Sequence, residues 1–342
     1  MIILSNALSC NTDEGALKVA TSLTKRIVKA ASDSYVISFD RESELSDLHL
    51  KLNKFLFSKR LFSIIRQKNG PVIYIPFPTR GWVMALRAQI LSFFGRNRVI
   101  VLSIMNGESE KFRLQKWLLR MSGATVFTLS REANDYYAKM LGSSRTMHLK
   151  TGVDTEKFYP IPAEESRILK EKYGFDPDRP VVLHVGHMKS GRNIEMLLEL
   201  DECNQILLIT STQFRDEQDT ALRDRLLKAP NVRLIDTYLE NIEEIYQLSD
   251  VYVFPVIEKG NCIDIPLSCL EAAACGKPVV TTRYGEMKAF EGKEGFFFID
   301  SFERDCLNRT VKAALTQGSG IVREAVLEYD WSHAVSHIVD FK

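Results

Sequence analysis

The chain has 342 residues, of which 45% are hydrophobic and 26% charged, and its formal net charge is +1. This composition describes an ordinary globular protein, and the length suits two domains of about 150 residues rather than one core. No uninterrupted apolar stretch is long enough to span a bilayer and no signal-type segment precedes the first strand-like run, so the expectation is a cytoplasmic protein.

Strand-like runs in the first half fall at Ile2–Ser5, Tyr35–Phe39, Val72–Pro76, Val99–Ile104, Thr125–Leu129 and Thr146–Leu149. Helical patterns at 14–31, 46–68, 80–95, 108–122 and 131–141 separate them. The second half repeats the alternation, with strands at Val181–Val185, Ile206–Thr210, Val232–Ile235, Val251–Phe254, Val279–Thr282 and Phe296–Ile299. Continuous apolar runs alternating with helices mean parallel sheets covered on both faces. The series restarts after Asp176-Pro-Asp-Arg-Pro180, which predicts two Rossmann-like halves of an α/β protein. The expected division is 1–160, 161–328 and a final helix from 329 to 342. The six cysteines show no CxxC pair and no histidine at metal-ligand spacing, so they read as reduced core thiols and no metal is expected.

The small net charge conceals an asymmetry. Residues 1–150 carry 23 Lys/Arg against 11 Asp/Glu, and residues 48–107 contain ten basic side chains and no acid. A solvated surface mixes signs, so a block of one sign implies an anionic partner, or attraction between the two halves. Arg80, Trp82, Arg87 and Arg96, with Lys111, Arg113, Lys116, Trp117 and Arg120 beyond them, interleave basic and bulky apolar residues at helical spacing. Such helices either lie in an anionic membrane interface or simply pack on the sheet. No motif for nucleic acid is present.

Two segments carry chemistry. Gly186-His187-Met-Lys189-Ser-Gly191-Arg192-Asn193 follows a strand and precedes a helical pattern, where backbone N–H groups beside Lys189 and Arg192 would suit a phosphate. The spacing imitates a P-loop, but Arg192-Asn193 replaces the Lys-[Ser/Thr] that would bind a nucleotide and Mg²⁺. Asp264-Ile-Pro-Leu-Ser-Cys-Leu-Glu271-Ala-Ala-Ala-Cys-Gly276-Lys-Pro278-Val-Val reads as a loop, a short apolar helix, a glycine stop and a buried strand. Glu271 has apolar neighbours and calls for something polar opposite it. Asp264 either reaches that ligand or caps the helix, and Pro266 suits the first turn. Asp176-Pro-Asp178 fits a metal motif formally but lies in a proline-rich linker.

Together with Thr151-Gly-Val-Asp154 through Phe158-Tyr-Pro160 and Ile242 through Pro255, these segments resemble the glycosyltransferase family 4 (group 1) enzymes. That family has the GT-B fold, two Rossmann-like domains facing a cleft, with a C-terminal helix that crosses back to the first domain. The resemblance implies a retaining, metal-independent transfer of a sugar from a nucleotide-sugar donor, which is a substrate and not a cofactor. It places Arg192 and Lys189 on the donor diphosphate, with Gly186 and His187 in the turn, and Glu271 on the ribose. Asp264 stands in for a sugar-contacting Glu whose own position is Ile263, with Glu258 as the other candidate. Ile265, Pro266, Leu267, Gly285 and Glu286 would line the donor, and Gly15 falls at the family's N-terminal glycine loop. Asn106 occupies the acceptor side, where the family often carries a histidine. Lipid-linked or anionic glycan acceptors and contact with the inner face of a membrane follow from the basic first half. A nucleotide-sugar 2-epimerase of the same fold and a non-catalytic partner protein are the alternatives.

Overall fold

A computed structural model of the chain describes residues 1–341 apart from 11–13, 78, 97, 106–108, 190, 211–218, 259 and 261. It divides into two compact units, Met1–Thr151 with Trp331–Lys342, and Gly152–Asp330.

The first unit contains β1 (Ile2–Ser5), α1 (Gly15–Ala30), β2 (Tyr35–Phe39), β3 (Leu48–Leu50), α2 (Lys59–Lys68) and β4 (Val72–Ile75). These are followed by α3 (Gly81–Gly95), β5 (Val99–Ser103), α4 (Phe112–Ser122), β6 (Thr125–Thr128), α5 (Arg131–Leu141) and β7 (Thr146–His148). The strands form one parallel sheet in the order β3-β2-β1-β4-β5-β6-β7. β1, β4 and β5 are buried throughout, as their aliphatic runs require. Each such Ile, Leu or Val contributes about 1.5–3 kcal/mol relative to exposure.

The helix expected over 46–68 is instead an edge strand, a loop and a ten-residue helix. Leu48 and His49 pair with Ile37 and Ser38 of β2. Asn53 then turns the chain, its side-chain oxygen accepting from the N–H groups of Phe55 and Phe57, and Ser58 caps α2 by accepting from Leu61. Side chains that bond their own backbone in this way compete with helix formation.

The second unit contains α6 (Ala163–Lys172), β8 (Val181–Val185), β9 (Gln205–Ile209), α7 (Thr220–Lys228), β10 (Val232–Ile235), α8 (Ile242–Leu248) and β11 (Val251–Phe254). After these come α9 (Leu267–Ala274), β12 (Val279–Thr281), β13 (Phe296–Phe298) and α10 (Arg304–Gln317). Its parallel sheet runs β10-β9-β8-β11-β12-β13. The chain closes with α11 (Trp331–Val339), which belongs to the first unit. There Trp331 is buried beneath the Arg26 guanidinium of α1. Both units are thus doubly wound α/β structures. Among the described residues no helix is long and apolar enough to cross a membrane.

Candidate functional site

In the second sheet the strand order reverses at β8, so successive connections leave β8 and β11 in opposite directions. The crevice at the carboxyl ends of such neighbouring strands is where open α/β sheets receive ligands. Three segments emerge there: Gly186–Asn193 after β8, 255–266 after β11 and Thr282–Gly285 after β12.

Arg192 is buried although it lies in a turn. Its guanidinium packs so closely on Gly186 that a Cβ at that position would overlap it. The glycine therefore makes room for the arginine rather than for an unusual backbone angle. Backbone bonds from Lys189 N–H to the His187 carbonyl and from Arg192 N–H to the Lys189 carbonyl fold the turn. Lys189 and His187 are half-buried beside it. The helix expected from Ile194 is only a six-residue 3₁₀ helix, Ile194–Glu199, entered through Asn193 at a φ of 60°. Positive charge here consequently comes from the Arg192 and Lys189 side chains and not from the end of an α-helix.

His184, which had no assigned role, lies under this turn. Its Nδ1 is 2.8 Å from the Val253 carbonyl, its ring stacks on Tyr252 and Phe254, and its Nε2 has no hydrogen-bond partner among the described residues. Burial, reinforced by the Arg192 charge, lowers its pKa from 6.5 to about 4. The ring is therefore neutral near pH 7. With Nδ1 donating to the carbonyl, Nε2 presents a lone pair. A histidine inside the aliphatic run Val181-Val-Leu-His-Val185 was the available signal.

α9 carries Glu271 in its middle, buried among Leu270 and Ala272–Ala274. Tyr246 of α8 donates its hydroxyl to the Glu271 carboxylate at 2.8 Å. Burial and then the Glu271 charge raise the Tyr246 pKa well above its ordinary value, keeping it a donor. Tyr252 is likewise buried, with its hydroxyl 2.6 Å from Ser268 Oγ and 3.2 Å from the Val185 carbonyl, tying α9 to the end of β8. These tyrosines escaped sequence reading because a Tyr in a strand or amphipathic helix is ordinary core.

Asp264 does not cap α9. The residue before the helix is Pro266, which makes no side-chain cap bond, so Pro266 precedes the first turn instead of occupying it. Asp264 is half-buried, and its carbonyl accepts from the Glu286 N–H at 2.8 Å. Gly285 has a φ of 49°, and a Cβ there would overlap the Asp264 carbonyl; close packing of the two loops accounts for this glycine. Glu286 is buried, as are Ile263, Ile265, Pro266 and Leu267, whereas Glu258 is exposed. The Tyr284 hydroxyl donates to the Cys262 carbonyl at 2.6 Å. Its pKa rises to about 12, chiefly through burial, with Asp264 raising it and Arg192 lowering it. Arg192, Tyr284 and Asp264 thus share one electrostatic neighbourhood. Gly186, His184 and Phe254 link it to the strand ends.

The remaining candidates lie in the first unit. Gly15 opens α1 behind Glu14, whose carboxylate accepts from Leu17 N–H at 2.8 Å, so a capped helix start accounts for it. Arg80 is exposed at the head of α3, and Trp82 lies half-buried under the Lys111 ammonium. Arg87 is a correction. It is buried and donates to Tyr74 Oη, Thr79 Oγ1 and the Lys54 carbonyl, so it holds the unit together and does not face a ligand. Asn106 lies outside the described residues. Among those described, no group of three or more His, Cys, Asp or Glu side chains could hold a metal ion.

The family described as Glycosyl transferases group 1 matches residues 179–316, the stretch that contains the Arg192 turn, His184, Tyr246 and Glu271. This part of the chain is similar to the group 1 glycosyl transferases. Among curated proteins it is 27% identical over 204 residues to the GDP-mannose-dependent alpha-(1-6)-phosphatidylinositol monomannoside mannosyltransferase of Mycolicibacterium smegmatis, covering 54% of this chain and 51% of that protein. The chain spans about half the length of the curated relatives it matches. A glycosyltransferase from Rickettsia africae has the same fold, with a TM-score of 0.77 and 14% identity over 99% of this chain and 96% of that one. The Anabaena protein HepE in complex with UDP gives 0.77 and 13% over 99% and 98%.

Proposed function

We propose that this chain is a retaining glycosyltransferase of group 1 that moves a sugar from a nucleotide-sugar donor to a lipid-linked or anionic glycan acceptor. The observation that carries the reading is the pairing, in one unit, of a buried arginine packed on Gly186 at the switch point with a buried, tyrosine-bonded carboxylate on α9. Arg192 and Lys189 receive the donor diphosphate, Glu271 accepts hydrogen bonds from the ribose hydroxyls, and Asp264 meets the sugar. The bond between the anomeric carbon and the diphosphate oxygen breaks as the acceptor oxygen bonds to the same face of that carbon, so configuration is retained. The departing diphosphate takes the acceptor's proton. The two cations stabilise the charge on it, a task that needs no metal ion in this reading. Acceptor recognition falls to the first unit and the reaction to the cytoplasm. The Mycolicibacterium relative, whose name specifies a lipid acceptor and GDP-mannose, supports the acceptor class.

Thermal stabilisation by UDP-, GDP- and ADP-sugars tests the donor site. A sugar nucleotide at a hundred times its dissociation constant adds about 2.7 kcal/mol to stability. One nucleotide series should stabilise the wild type, and Glu271→Gln, which preserves shape and the Tyr246 bond, should lose most of that gain. Stabilisation by no member of the panel would overturn the reading.

A further inference from the structure

We propose that the outer face of α3 and α4 in the first unit docks onto an anionic lipid bilayer, with aromatic side chains entering the interface between headgroups and acyl chains. The proposal stands on this surface alone and does not depend on the donor reading.

α4 has two apolar stripes. One, with Leu118 and Leu119, is buried against the unit. The other, Leu114, Trp117 and Met121, follows the i, i+3, i+7 spacing of a helix face, and its Trp117 and Met121 are 58% and 61% exposed. Ser92 of α3 donates to the Ser122 carbonyl at 2.7 Å, joining the last turns of the two helices. Phe93, next to Ser92, is 68% exposed, the most exposed large apolar side chain among the described residues. Its ring meets Phe94, which in turn meets Phe57 of the segment before α2. The exposed apolar surface therefore extends across α4, the end of α3 and the approach to α2.

Cations interleave it. Arg113, Lys116 and Arg120 alternate with the outer stripe of α4, and Arg66 of α2 reaches the Phe94 carbonyl. None of α2, α3 and α4 contains an acidic residue. Trp, Phe and Met held outward together, amid charges of a single sign, form a contiguous patch of the kind that marks an interaction surface. Bulky apolar residues that enter an interface, ringed by cations that hold anionic headgroups, fit a membrane surface. A polyanion alone would use the charges and leave the aliphatic residues unexplained.

The test is co-sedimentation of the full chain with vesicles of phosphatidylcholine alone or mixed with phosphatidylglycerol. Binding should favour the anionic vesicles by about tenfold and weaken with salt. Phe93→Ser with Trp117→Ser should reduce it by about tenfold. Arg113→Gln with Lys116→Gln and Arg120→Gln should abolish the preference for phosphatidylglycerol. Fluorescence from Trp117, isolated by comparison with Trp117→Phe, should shift to shorter wavelength on binding. Phe93, Trp117 and Arg113 are exposed, whereas Lys116 is half-buried and Arg120 also donates to the Met140 carbonyl at 2.8 Å, so melting temperature is measured to check that each variant is folded. The proposal is overturned if anionic vesicles leave the chain in solution, if the aromatic double variant binds as well as wild type, or if sedimentation velocity shows a wild-type dimer that this variant converts to monomer. Donor stabilisation, measured on the same variants, should be unchanged, so failure here leaves the transferase reading standing and the reverse.

Discussion

At the open ends of β8 and β11 charged and polar side chains are buried, whereas along α3 and α4 bulky apolar ones are exposed. Both invert the usual partition, and each inversion is informative because it costs free energy unless something compensates. Among the buried polar groups of the second unit the compensation is partly internal: Tyr246 serves Glu271, and the Val253 carbonyl serves His184. At the helix faces Phe93, which meets Phe94, and Trp117 are still 68% and 58% exposed, and in the docking proposal the bilayer supplies the missing cover. A site built for a small ligand is held by its own scaffold. A docking face is left incomplete.

If that contrast is right, the sharpest break comes from the strand ends. Arg192→Ala should lower turnover by about 10²–10³, since removing a preorganised charge-stabilising group at a reaction centre has that effect. Folding stability should change far less, as expected of a charge held for a ligand rather than for the fold. Steady-state kinetics beside thermal melts would check this, and equal losses in both would reassign Arg192 to structure.

The next effect is a pH dependence. His184 titrates at about 4 when folded against 6.5 ordinarily, so below pH 6.5 the unfolded chain gains a proton that the folded chain refuses. Stability is complete above pH 6.5 and falls as pH drops toward 4, by at most about 3 kcal/mol. His184→Gln, which retains a donor for the Val253 carbonyl, should flatten this part of the profile in melts between pH 7 and pH 4.5. Parallel losses in the two proteins would show that another group titrates.

A smaller loss tests the internal compensation itself. Tyr246→Phe removes the hydroxyl that serves Glu271 and should cost about 1–3 kcal/mol, because a buried carboxylate loses a donor. Donor stabilisation should fall with it, since Glu271 then loses the hydroxyl that helps to orient its carboxylate. Tyr246→Phe combined with Glu271→Gln should lose less than the sum, as two residues in contact do. Strict additivity in denaturant melts would mean that the hydroxyl does not support the carboxylate.

How far such features could be read from sequence depends on distance along the chain. Glu271 was legible because its neighbours are all apolar and within one helical turn, and most strands were legible as unbroken aliphatic runs. β3 was not, since three residues with Leu48 and Leu50 alternating cannot be told from one turn of a helix until Ile37 is seen beside them. Arg87 was assigned outward from its spacing on α3; Tyr74, its partner thirteen residues earlier on β4, is invisible to periodicity. Tyr246 and Glu271 are 25 residues apart on different helices, and only the packing of α8 on α9 joins them. Spacing gives a face, but depth and partner come from the tertiary fold.

The smallest expected effect is the one that keeps the two regions distinct. Phe93→Ser with Trp117→Ser should change folding stability by no more than about 0.5 kcal/mol, because exposed side chains contribute little to the folded state. The reason is specific to this surface: Leu91, Leu118 and Leu119 carry the packing of α3 and α4 on the sheet, and the substituted residues point away from it. Chemical denaturation of wild type and double variant measures the difference directly. A loss of several kcal/mol would mean that these residues are packed in solution, against the chain or a second copy, and the surface would then be no more open than the strand ends.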